Sequence, residues 1–115
     1  MSYHSDWKKI KGKARNIPKG FFKGADFGKK LDEFEKADAA VQKNKNPDKE
    51  EKLKQKAKKA LAAALVAQAD YLKITKMAQN QKANSPALLQ DIDQLLTDWM
   101  PLMNALGKEK ARYGL

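Results

Sequence analysis

Apolar residues recur at helical spacing through most of this chain. Phe27, Leu31, Phe34 and Val41, with Ala37 between them, share one face of a helix predicted over about 27–44. Asp26 can cap it, Asp32, Glu33 and Glu35 lie towards its positive end, and Lys43 and Lys45 sit at its negative end. Asn46-Pro47-Asp48 then reads as a cap, a proline at the first helical position and an acid. It opens a second helix predicted over 48–81, unbroken and roughly 50 Å long at 1.5 Å per residue. Between Ala60 and Ala69 this helix is apolar nearly all round, interrupted only by Gln68. Such a segment is buried on more than one side, and Leu61, Ala64, Leu65 and Leu72 are expected to face its neighbours.

Asn84-Ser85-Pro86 repeats the start signal. In the third helix, predicted over 86–106, Leu88, Ile92, Leu95, Trp99, Leu102 and Leu106 follow one another at alternating steps of four and three, a heptad seam. Leu89, Leu96 and Met103 widen it. Pro101 is predicted to kink the helix, Gly107 to stop it, and 108–115 to form a fraying tail.

Residues 1–25 are punctuated by Gly12, Pro18, Gly20 and Gly24. A short amphipathic helix over 5–16 would place Trp7, Ile10 and Ala14 on one side. The fold expected is all-α: an elongated three-helix antiparallel bundle over 26–107, with one long central helix and a basic, partly irregular arm over 1–25. Short turns make each neighbour antiparallel to the long helix.

Composition sharpens this picture. The 115 residues contain no cysteine and one histidine, His4. A disulfide framework, a thiol nucleophile and the common zinc sites are thereby excluded. Leu, Ile, Val and Phe together number only 22, a thin supply of large core residues. The heptad seam accordingly has two readings, an intramolecular core or a surface for self-association or a partner helix. Asp91, Asp93 and Asp98 have no histidine or further acid beside them, so neither a metal site nor acid–base catalysis is expected there.

Charge adds candidate chemistry. Lys and Arg number 24 against 14 Asp and Glu, a formal net charge of +10. Residues 1–30 hold nine basic and two acidic residues. There Lys8, Lys9, Lys11, Lys13, Arg15, Lys19 and Lys23 interleave with Trp7, Phe21 and Phe22, a pattern that suits a phosphate backbone with base stacking, or an anionic membrane surface. A solvated tail whose aromatics tuck into the bundle is the alternative. A second focus, Lys52, Lys54, Lys56, Lys58 and Lys59, reads as a solvated face bracketing Leu53, Ala57 and Leu61. Twenty-two of the basic residues are lysine and two are arginine. Lysine is a hydrated point charge without arginine's bidentate fork, so any nucleic-acid binding should be non-specific and salt-sensitive.

The expectation is a non-enzymatic helical interaction or structural protein, homo-oligomeric or bound to a protein partner, whose basic arm contacts an anionic partner. A non-specific nucleic-acid-binding protein and a peripheral membrane-active protein are the alternatives. No cofactor and no small-molecule substrate are expected. No stretch of 18 apolar residues exists, and the expected setting is soluble and intracellular, with virion or injected cargo equally compatible. Removing residues 1–25 should leave the helices nearly intact if the arm is separate from the body.

Overall fold

The computed structural model describes residues 3–13, 27–80 and 86–115. They form an all-α structure of four helices: α1 (Tyr3–Lys13), α2 (Phe27–Lys43), α3 (Pro47–Asn80) and α4 (Pro86–Arg112). The body measures 56 × 22 × 22 Å, and α3, with 34 residues, runs almost its full length. α2 packs along α3, and α4 packs on α3 from the other side. α1 lies against both α2 and α4 and does not meet the α3 backbone. The helices therefore occupy the corners of a square, with α1 and α3 on one diagonal.

Paired residues fix the directions. Gln79, near the end of α3, donates to Asp93, near the start of α4, at 2.7 Å. Tyr3 Oη, at the start of α1, donates to Glu109, near the end of α4, at 3.0 Å. Each helix is antiparallel to the two it packs on, the up-down-up-down arrangement of short-loop bundles.

The capping chemistry explains the boundaries. Asn46 Oδ1 accepts from the Asp48 amide at 3.0 Å, so one of the orphan donors at the start of α3 is satisfied, with Pro47 at the position that needs none. The expected stop at Gly107 does not occur, and α4 continues to Arg112. Its stop is Gly114, the residue with a left-handed φ of 70°. The Leu115 amide reaches back to the Lys110 carbonyl at 3.0 Å and the Gly114 amide to Ala111 at 3.1 Å. This is the Schellman pair that ends a helix on glycine. Pro101 lies within α4 on its exposed side.

The thin supply of large residues has a specific consequence. The inner face of α3 is Ala57, Leu61, Ala64, Ala67, Tyr71 and Thr75, all buried. Those alanines leave width between α2 and α4 that α3 alone does not fill. Trp7 and Ile10 of α1 fill it from the opposite corner, at 2% and 8% exposure. Residues 3–13 are thus a fourth packed helix, where the sequence suggested part of a separate arm. Trp7 sits at the centre of an aromatic cluster, 4.9 Å from Phe27 edge-on, 5.6 Å from Tyr71 and 4.7 Å from Trp99 between ring centroids. Edge-on and tilted ring pairs of this kind add to the area they bury.

Candidate anionic-partner interface

The helix that carries the first basic residues is anchored at its N-terminal end. His4 Nδ1 bonds the Gly28 carbonyl at 2.8 Å, and the Tyr3 amide donates to the Glu35 carboxylate. Gly28 of α2 lies against Trp7 and His4 of α1. A Cβ there would stand 3.3 Å from Trp7 Cδ1, a tight contact that the indole would have to relieve by a small shift. Once Trp7 and Ile10 are turned inward, helical geometry puts the α1 lysines outside. Lys8, Lys9, Lys11 and Lys13 are all exposed.

The candidate residues therefore separate. Trp7 belongs to the core, and its ring has no open face for a base. Lys8, Lys9, Lys11 and Lys13 are spread over the outer half of α1, with Lys9 and Lys13 on the side that borders α4. Arg15, Lys19, Phe21, Phe22 and Lys23 lie outside the described residues. The heptad seam of α4 faces inward: Ile92, Leu95, Trp99, Leu102 and Leu106 are 0–4% exposed, and Leu88 is partly buried against the same core. Leu61 and Ala64 are fully buried opposite it, while Leu65 and Leu72 pack at its edge. These residues hold the chain's own helices together. Among the described residues, the large apolar side chains left exposed, Val66, Met77, Met100 and Leu115, are separate from one another in sequence and lie on α3, α4 and the C-terminus.

Two carboxylates in the first half of α4 accept side-chain hydrogen bonds. Asp98 accepts from Gln94 at 2.9 Å and Asp93 from Gln79 at 2.7 Å. Among the described residues no three metal-ligating side chains come together. An open cleft of about 290 Å³ between α1 and α4 is lined by Lys9, Lys13 and Asp98 among others, and its charges are mixed. No described helix is long and apolar enough to cross a membrane.

The second lysine focus lies on α3. Lys54 pairs with Glu50 at 3.1 Å across one turn, while Lys52, Lys56 and Lys59 point away from the core and are exposed. The sequence pattern alone misses how α2 contributes between the two foci. Lys29, Lys36 and Lys43 are exposed and seven residues apart, so they share the outer side of α2. That spacing was the available signal.

Protein-family models, curated proteins and solved structures were all compared with the chain, and none matches it.

Proposed function

We propose that the protein is a non-enzymatic helical binding protein that contacts an anionic partner through the lysines of α1. The observation that carries this reading is the exposure of Lys8, Lys9, Lys11 and Lys13 on a helix whose Trp7 and Ile10 are locked into the core. A cationic face held on a rigid element is presented without ordering cost, and a net charge of +10 draws polyanions from a distance. Phosphates contacted by lysine point charges position a protein but carry no sequence information.

Nucleic-acid backbone is favoured over a membrane surface by the direction of the aromatics. Interfacial helices hold their binding by inserting an apolar face into the headgroup region. The apolar face of α1 is occupied by the bundle.

Size-exclusion chromatography with light scattering tests the proposal, on untagged protein purified without nuclease and with absorbance read at the nucleic-acid and protein maxima. Excess nucleic-acid absorbance that high salt strips away is the expected result. A defined homo-oligomer with a protein-like spectrum would instead support self-association and count against the α1 face.

A further inference from the structure

We infer that the anion-binding surface is one lysine band that turns the α2 corner of the bundle, from α1 across α2 to α3, and that it seats the backbone of a double-stranded nucleic acid lying along that corner. This rests on the proposed reading of α1 and extends it to residues that looked, in sequence, like a merely solvated face.

Three placements build the surface. Lys8 is exposed on α1, at the level where Trp7 stacks on Tyr71 of α3. Lys29 and Lys36 follow along the outer side of α2, which packs on both α1 and α3. Lys36 and Lys56 then line the same trough between α2 and α3 as Ala37, Ala40, Ala60 and the acid Glu33, and Lys56 continues into a second recess with Lys52 and Lys59. The small alanines keep this side low, so the lysine heads on both rims stand proud of it.

Length and charge select the partner. From Lys52 to Tyr71, α3 rises about 28 Å, which corresponds to roughly eight base pairs of duplex at 3.4 Å each. A cationic band running along one corner of a body 56 Å long and 22 Å wide matches a rod-like polyanion. Acids on this side are partly neutralised already: Asp32 pairs with Lys36 at 3.1 Å and Glu33 with Lys30 at 4.0 Å. Among the described residues Lys52, Lys56 and Lys59 take part in no ion pair. The opposite side differs in sign, because α4 carries Asp91, Asp93 and Asp98 in its first half and no lysine before Lys108.

Fluorescence anisotropy with labelled DNA duplexes of increasing length tests this, using the full chain and circular dichroism to verify folding of each variant. Affinity should climb with duplex length up to about eight base pairs and rise only statistically beyond that. The triple variant Lys52→Glu/Lys56→Glu/Lys59→Glu should bind at least about tenfold more weakly and lose about three from the slope of log affinity against log salt. Lys108→Glu/Lys110→Glu on α4 should stay near wild type. If the triple variant binds like wild type while Lys8→Glu/Lys9→Glu does not, the site is confined to α1. The continuous surface is then wrong although the function stands. Binding to phosphatidylserine vesicles without binding to duplex also overturns the inference. No binding to either polyanion removes both proposals together.

Discussion

Arg112, on the last turn of α4, donates to the carboxylate of Asp38 on α2 at 2.8 Å, joining residues 74 positions apart. The same guanidinium contacts Glu109, which in turn accepts from Tyr3 Oη of α1, and Tyr113 Oη donates to Asp38. Three helices are thus clasped at one end by five side chains. The Arg112 side chain is 42% exposed, so solvent screens the pair and its worth is modest. Arg112→Ala should lower stability by about 1 kcal/mol. Urea unfolding checks this through the midpoint at constant slope, and an unmoved midpoint would show that the clasp contributes no stability.

The clasp also predicts alkaline sensitivity. Burial, and after it the hydrogen bond to Glu109, pushes the Tyr3 phenol up from 10.0 to about 12. Burial and then Asp38 push Tyr113 up from 10.0 to about 12. A phenol is neutral when protonated, so the folded chain keeps protons that the unfolded chain gives up near pH 10. The stabilisation is complete below about pH 10 and is lost as pH rises through about 12. An ultraviolet phenolate titration should show both tyrosines ionising late, and Asp38→Asn should bring Tyr113 down while leaving Tyr3 raised.

Trp7 distinguishes an integral α1 from a detachable arm. Its indole is 2% exposed among Phe27, Tyr71 and Trp99. Replacing a buried tryptophan by alanine costs about 3–5 kcal/mol, a large share of the roughly 5–15 kcal/mol that holds a domain together. Trp7→Ala should therefore bring the chain to the edge of unfolding, and deleting residues 1–13 should do the same. Emission from Trp7 and Trp99 should be blue-shifted and unchanged by saturating DNA duplex. Quenching of Trp7 by the duplex would mean that α1 leaves the body on binding.

What the sequence made legible follows from which interactions are local. The starts of α3 and α4 were readable because a cap and a proline announce them within three residues. The α4 seam was readable because its heptad spacing is local too. Its direction was not: Leu95 and Trp99 look the same whether they face α1 or a second chain. The docking of α1 depends on a gap between α2 and α4 set by the distant alanines Ala57, Ala64 and Ala67 of α3. The end of α4 was missed because Gly107 and Gly114 are the same residue type. Past the first, Arg112 and Tyr113 hold the end of α4 to Asp38 of α2, and the helix ends on the second. For the candidate site, the lysines were visible and their grouping was not, because Lys36 and Lys56 become neighbours only when α2 packs on α3.

The glycines give a matched pair of tests. A Cβ on Gly107 meets nothing within 4 Å, and the residue is exposed inside a helix. Gly107→Ala should stabilise by up to about 1 kcal/mol, the helix-propensity difference. A Cβ on Gly28 already presses on Trp7, so Gly28→Val should destabilise by about 1–3 kcal/mol as an overpacking substitution. Thermal melts of the two variants should move in opposite directions. A gain for both would mean that Trp7 yields easily.

Lysine in place of arginine makes the last prediction quantitative. Specific base readout needs bidentate donors placed in a groove, and the described lysine side contains no arginine. Duplexes of unrelated sequence should therefore bind within about threefold of one another, because phosphate contacts are blind to sequence. Each lysine that neutralises a phosphate releases counterions, so log affinity should fall linearly with log salt at about −0.9 per contact. Six contacts, from Lys8, Lys29, Lys36, Lys52, Lys56 and Lys59, give a slope near −5. A shallow slope with strong preference for one sequence would place recognition elsewhere on the chain, on residues that read base edges.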